Sequence, residues 1–190
     1  MRHALCMALA LLAGCAAAPQ SEGPQIESGA IVGNSTDPRN RARIRTELAS
    51  LYYSRGSMNI ALEELRLALA ADPNFATAHG MFGLVYMELR ENALAQASFE
   101  RALSLSPEDS DINHNYGWFL CQTGREADSL KYFLNAIRNP LYPTPWRSYS
   151  TAGQCMLKTG KLADAEAYFQ QALKLDPDEP ISLLKLGEIR

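Results

Sequence analysis

The sequence predicts an all-α chain, a right-handed α-solenoid of helix hairpins with four full repeats and the first helix of a fifth. Three observations predict it. First, a pattern returns with a fixed period. Pro73 and Pro107 stand 34 residues apart, and Pro177 follows 70 residues later, two such periods plus two. Second, large residues alternate with very small ones at helical spacing. Phe82 and Tyr86 are four apart, as are Ala95 and Phe99, so each pair shares one helix face. Third, helix breakers punctuate the periods. Proline lacks an N–H and restricts the residue before it, and Gly56, Gly124 and Gly160 fall near mid-repeat turns.

The elements follow in chain order. Arg2 and His3 give a short polar start, and Ala4 to Ala13 is an apolar run. The run is too short to span a bilayer and reads as the core of a secretory signal. It ends Leu12-Ala13-Gly14-Cys15, an order that resembles the lipobox of bacterial lipoproteins. The resemblance implies that residues 1–14 are a signal peptide and that Cys15 carries the lipid. The alternative is a plain signal peptide cut further on, near Ala18. Each buried methylene contributes about 0.8 kcal/mol, so two or three acyl chains anchor stably. Ala16 would be the second residue of the mature chain. By resemblance to Gram-negative lipoproteins, the absence of Asp there implies the outer membrane, with the protein facing the periplasm. Residues 15–34 then read as a flexible tether, rich in Gly, Ser, Pro and Gln without periodicity.

Residues 35–190 are the solenoid. Asp37-Pro38 supplies an N-cap and a first-turn proline. Arg39, Arg41, Arg43 and Arg45 then read as a solvated face, with an acidic partner or lipid headgroups as the alternative. Repeat one, residues 42–75, carries Leu48, Ala49, Tyr52, Ala61, Leu65 and Ala68. Repeat two, 76–109, carries Phe82, Gly83, Tyr86, Ala95, Phe99 and Ala102. Repeat three, 110–145, carries Tyr116, Gly117, Leu120, Ser129, Phe133 and Ala136, and the two extra residues fall in its Pro-rich loop from Asn139. Repeat four, 146–179, carries Ala152, Gly153, Met156, Ala165, Phe169 and Ala172. Residues 180–190 are a partial repeat with Leu186 and Gly187. This residue order at this period is the tetratricopeptide repeat (TPR) pattern. A solenoid end normally carries a polar cap, and Ile181, Leu183, Leu184 and Leu186 provide none. The expectation is an incomplete version of a longer protein; the alternative is an end that binds another surface.

Composition limits the function. The chain is 47% hydrophobic and 21% charged, with a formal net charge of −3. That balance argues against nucleic acid, which wants a basic face to displace counterions. His79 and His114 lie in different repeats with no carboxylate or cysteine at a metal-ligand offset, and read as surface or groove residues. No Gly-rich phosphate loop follows a strand, and the carboxylates fall at helix ends, turns and exposed faces. The reading is of no enzyme, no metal, no cofactor and no small-molecule substrate.

Of the four cysteines, Cys6 leaves with the signal and Cys15 takes the lipid, so Cys121 and Cys155 remain in an oxidising compartment. Both fall on the first helices of adjacent repeats, which pack side by side. The expectation is a disulfide Cys121–Cys155, contributing about 3–4 kcal/mol by loop entropy. The alternative is two buried thiols, if the Cα atoms stand more than about 7 Å apart.

The first helix of each pair should build the inner wall of the solenoid. Residues not used in packing then face the groove. Counting by the repeat gives Thr46, Ser50, Tyr53, Thr77, Leu84, Met87, His114, Trp118, Gln122, Gln154 and Lys158. Tyr53, Leu84, Met87 and Trp118 would make an apolar stripe of the kind that anchors a peptide. The competing reading is that some of them pack against neighbouring helices.

Asn113 to Cys121, then Gly124-Arg125, resembles the third-repeat signature of the type IV pilus biogenesis/stability proteins PilW and PilF. Leu141-Tyr142-Pro143 resembles the extended loop before their fourth repeat. The lipobox, repeat phase and cysteine pair also fit. Thr144-Pro145-Trp146 departs from the more charged residues expected in that loop. The family usually carries six repeats, and this chain stops within the fifth. The resemblance implies a pilotin, a lipoprotein that binds subunits of the secretin PilQ, escorts them to the outer membrane and promotes their multimerisation. A general periplasmic TPR scaffold for envelope assembly is the alternative function.

Overall fold

Asp37 opens the first helix with its own side chain. Its carboxylate accepts the Arg39 N–H at 3.1 Å, and Pro38 takes the first helical position, where no N–H is needed. The computed structural model describes residues 37–189. The apolar run, Cys15 and the tether expected up to residue 34 lie outside the described residues. Those residues form nine helices and no strand: α1 Pro38–Ser54, α2 Met58–Ala71, α3 Ala76–Glu88, α4 Asn92–Leu105, α5 Ser110–Gln122, α6 Glu126–Arg138, α7 Pro145–Lys158, α8 Leu162–Leu175 and α9 Pro180–Ile189.

The helices pair as antiparallel hairpins, α1 with α2, α3 with α4, α5 with α6 and α7 with α8. Each second helix also touches the first helix of the next hairpin. The first helices touch one another in a row, α1 to α3 to α5 to α7 to α9, whereas no second helix reaches the next second helix among the described residues. A stack whose first helices are close and whose second helices are splayed must curve, with the first helices inside. The chain is an all-α TPR solenoid.

Inside each hairpin the packing follows from one size contrast. A Cβ added at Gly83 would stand 2.7 Å from the Phe99 ring. Gly117 faces Phe133 at 2.9 Å and Gly153 faces Phe169 at 2.7 Å by the same measure. All three phenylalanines are fully buried. The ring of the second helix lies on the bare backbone of the first, so the two helices can approach closely. Repeat one solves the same contact with Ala49 and Leu65, both fully buried.

Hairpin turns need a residue with positive φ after the first helix. Gly56, Gly124 and Gly160 supply it, at φ 74°, 81° and 72°. Repeat two uses Arg90 instead, at φ 61°. A side chain there costs about 1 kcal/mol, because Cβ crowds the carbonyl oxygen.

Hairpins are joined by four-residue connectors except between α6 and α7, where residues 139–144 make six. The Asn139 carboxamide accepts the Leu141 N–H at 2.9 Å and tightens the start of this loop. Tyr142 folds back and is buried, while Leu141 at the tip is exposed. The arginines of α1 are exposed as expected for a solvated face; Arg43 pairs with Glu47 at 2.6 Å and Arg45 reaches Glu64 on α2 at 2.8 Å.

The size contrast has a measurable sign. Gly→Ala inside a helix normally adds stability. Gly83→Ala is expected to remove about 1–3 kcal/mol, because the Phe99 ring has nowhere to go. Arg90→Gly is expected to add about 1 kcal/mol. Urea unfolding midpoints of the two variants should move in opposite directions; equal or reversed shifts would refute this account of the hairpin.

Candidate functional site

The inner wall carries a groove of about 730 Å³ over α5, α7 and the start of α9. From α5 come His114, Trp118 and Gln122, three side chains on one face of the helix. From α7 come Trp146, Arg147, Gln154 and Lys158, and from α9 Ile181 and Lys185. Cys121 and Cys155 lie between the two helices and are joined by a disulfide, with Cα atoms 5.9 Å apart. The bond ties α5 covalently to α7. Lys158 Nζ donates across the same seam to the Cys121 carbonyl at 3.0 Å and to the Gln122 Oε1 at 3.4 Å.

His114 is buried, not a surface residue, at 5% exposure. Its Nδ1 shares a 2.9 Å hydrogen bond with the Ser148 hydroxyl on α7, and its ring meets Phe133 at 5.8 Å. Burial first, and the nearby Arg147 charge second, push its pKa down to about 3. The imidazole is therefore neutral and serves as a polar tie between α5 and α7.

Glu179 is buried too, at 2% exposure. Its carboxylate accepts the N–H groups of Ile181 at 3.1 Å and Ser182 at 2.7 Å, capping α9. Burial alone would raise its pKa; those hydrogen bonds outweigh it and leave the group below the ordinary carboxylate value. Nothing in the sequence marked Glu179 beyond its place at a helix start. Asp111, across from Arg147 at 3.8 Å, is shifted the other way, raised by burial and by Asp109 against the opposing pull of Arg147.

Five of the residues assigned to the groove by repeat register share this one pocket: His114, Trp118, Gln122, Gln154 and Lys158. The other six, Thr46, Ser50, Tyr53, Thr77, Leu84 and Met87, do not line it. Tyr53 and Leu84 are half-buried against the core of repeats one and two, and Met87 packs with Leu84 against the Phe99 cluster. Burial, then Glu88, raises the Tyr53 pKa. The expected single stripe from Tyr53 to Trp118 is thus divided, because the α1 and α3 members spend their apolar area on neighbouring helices. Thr46 is buried with its hydroxyl on the Ala42 carbonyl at 2.8 Å, while Ser50 and Thr77 are exposed. His79, half-buried, has its Nε2 3.0 Å from the Pro73 carbonyl. Trp146, Arg147, Ile181 and Lys185 were not assigned by register. Their signal was the continuation of the phase into the Pro-rich loop and the partial repeat, where the pattern has fewest fixed positions.

Among the described residues no cluster of three or more His, Cys, Asp or Glu side chains could hold a metal ion. No helix among them is long and apolar enough to cross a membrane. What the geometry offers is a curved wall with aromatic, amide and cationic side chains, which suits a protein segment.

Family models of the tetratricopeptide repeat match residues 81–144 and 146–179. The type IV pilus assembly protein PilF of Pseudomonas aeruginosa is 30% identical over 138 residues, covering 73% of this chain and 55% of that protein. The chain thus spans about half the length of that curated relative. Its fold matches the crystal structure of PilW, a widely conserved type IV pilus biogenesis factor, with a TM-score of 0.74 at 36% identity, over 78% of this chain and 68% of that one. The Pseudomonas aeruginosa PilF structure matches with a TM-score of 0.77 at 28% identity, over 80% and 68%. MamA, at 23% identity and a TM-score of 0.60, shares the fold alone. The chain is a tetratricopeptide-repeat protein, a class that typically serves as a non-enzymatic scaffold for protein partners. Within that class it belongs to the PilW family of type IV pilus biogenesis factors.

The buried histidine gives a pH test. Above its ordinary pKa of 6.5 His114 is neutral whether folded or not. As pH falls below 6.5 the unfolded chain takes up a proton that the folded chain refuses until about pH 3. Stability contributed by this group therefore declines on acidification, by about 1 kcal/mol per pH unit in that window. Denaturant midpoints should fall more steeply with acid in the wild type than in His114→Gln; parallel slopes would remove His114 from the account.

Proposed function

We propose that the chain is an outer-membrane lipoprotein that acts as a pilotin in type IV pilus biogenesis. In this reading it binds subunits of the secretin PilQ through the groove of α5 and α7 and promotes their outer-membrane localisation and multimerisation. The observation that carries the reading is the open, aromatic-walled groove on the inner helices of a PilW-family chain. Trp118 and Trp146 offer the bulky anchors on which recognition of a protein segment depends. The Leu12-Ala13-Gly14-Cys15 run supports acylation of Cys15, and acyl chains would hold the protein at the membrane where the client must arrive.

The reading has two separable parts. Trp118→Ala is expected to lower the level of assembled secretin multimers at least about fivefold, since buried aromatic anchors carry more than 1 kcal/mol each. Unchanged multimers with the variant folded, as judged by its melting transition, would reject the groove as the client site. Cys15→Ala is expected to leave a folded protein that no longer fractionates with the outer membrane. Retention there would reject the lipid anchor and leave the groove reading intact.

A further inference from the structure

The groove over α5, α7 and α9 differs in charge from the rest of the molecule. The chain is formally −3. The groove lining holds three cations, Arg147, Lys158 and Lys185, against one carboxylate, Glu179. Glu179 does not face an incoming ligand, because it is buried with its oxygens on the first N–H groups of α9. Lys158 donates to two neutral acceptors, the Cys121 carbonyl and the Gln122 amide oxygen. Lys185 has Glu188 at 2.7 Å, and Arg147 has Asp111 at the longer distance of 3.8 Å. In both pairs the carboxylate partner is solvent-exposed, so the contact exchanges readily for a better-placed anion. The same lining holds two indole rings, Trp118 and Trp146. The amide of Gln154 carries both a donor and an acceptor, the pairing a peptide backbone presents.

We infer that this end of the groove takes an extended acidic peptide segment, one bulky apolar side chain set against the indoles of the lining and flanking Asp or Glu residues set against Lys158, Lys185 and Arg147. The inference deepens the client-binding reading and rests on it. A lipid tail would use the indoles but leave the Gln154 amide unpaired; a basic peptide would meet the like charge of Lys158 and could not replace the carboxylates on Lys185 and Arg147. The disulfide ties α5 to α7, so the two helices that carry the indoles are joined before a ligand arrives.

The chain itself carries the probe. Its two tryptophans both line the groove, so intrinsic tryptophan fluorescence reports this site. The full-length protein in detergent would be titrated with three short synthetic peptides. One has a single Phe among Asp and Glu residues, one has Lys in place of every acid, and one has Ser in place of the Phe. The acidic Phe peptide is expected to bind about tenfold more tightly than the Lys peptide, with an advantage that shrinks as salt is raised. Lys158→Gln with Lys185→Gln should erase most of that preference, and Arg66→Gln on the outer helix α2 should leave it unchanged. The peptide comparison on the wild-type protein stands even if the double variant fails to fold. Equal or tighter binding of the Lys peptide overturns the inference and leaves the groove as a client site of other chemistry. A response to vesicles containing phosphatidylglycerol, but to no peptide, overturns the inference and the client reading together. PilQ subunits that bind the wild type and the double variant equally overturn the inference alone.

Discussion

A phenylalanine lying on a glycine is the contact on which this structure depends. In three of the four hairpins the ring of the second helix occupies the space where a side chain on the first helix would stand. That contact brings the two helices to backbone distance and sets where each first helix lies. The first helices then meet in a row and the second helices do not. Curvature, an inner wall and a groove follow from that asymmetry. The contact is short-range and repeated, so no single core organises the molecule; each hairpin is completed by its neighbour.

The repeat made the fold readable. Proline at the period ends, a large–small alternation at helical spacing and glycine at the turns are all local signals, and each survives in a single sequence. The long connector before α7 was readable for the same reason, as two residues of excess phase. Arg90 shows the limit. It holds a left-handed turn that glycine holds in the other three hairpins, and nothing in its side chain announces that role.

Register alone did not locate the site, and exposure does not complete it, since Trp118 is half-buried as Tyr53, Leu84 and Met87 are. Trp118, Gln122, Gln154 and Lys158 fall on the groove face of α5 and α7 and line the pocket. Tyr53, Leu84 and Met87 occupy comparable register positions, yet neighbouring helices cover much of their area. Register gives the direction in which a side chain leaves its helix, not what meets it there. His114 makes the same point in polar form. Its direction toward the groove was legible, but its burial depends on Ser148, a residue 34 positions away with no mark of its own. Glu179 likewise acquires its role from the two N–H groups it caps.

The crosslink between α5 and α7 also bears on how the molecule comes apart. A solenoid of neighbour contacts loses its terminal hairpins before its interior, since each end unit is held on one side only. A covalent bond between repeats three and four merges them into a single block, whereas the hairpins of α1–α2 and α3–α4 stay separately releasable. Traction or a protease acting from the amino side would peel off those two hairpins and stop at the stapled pair. The part of the wall that carries both tryptophans is therefore the last to be dismantled.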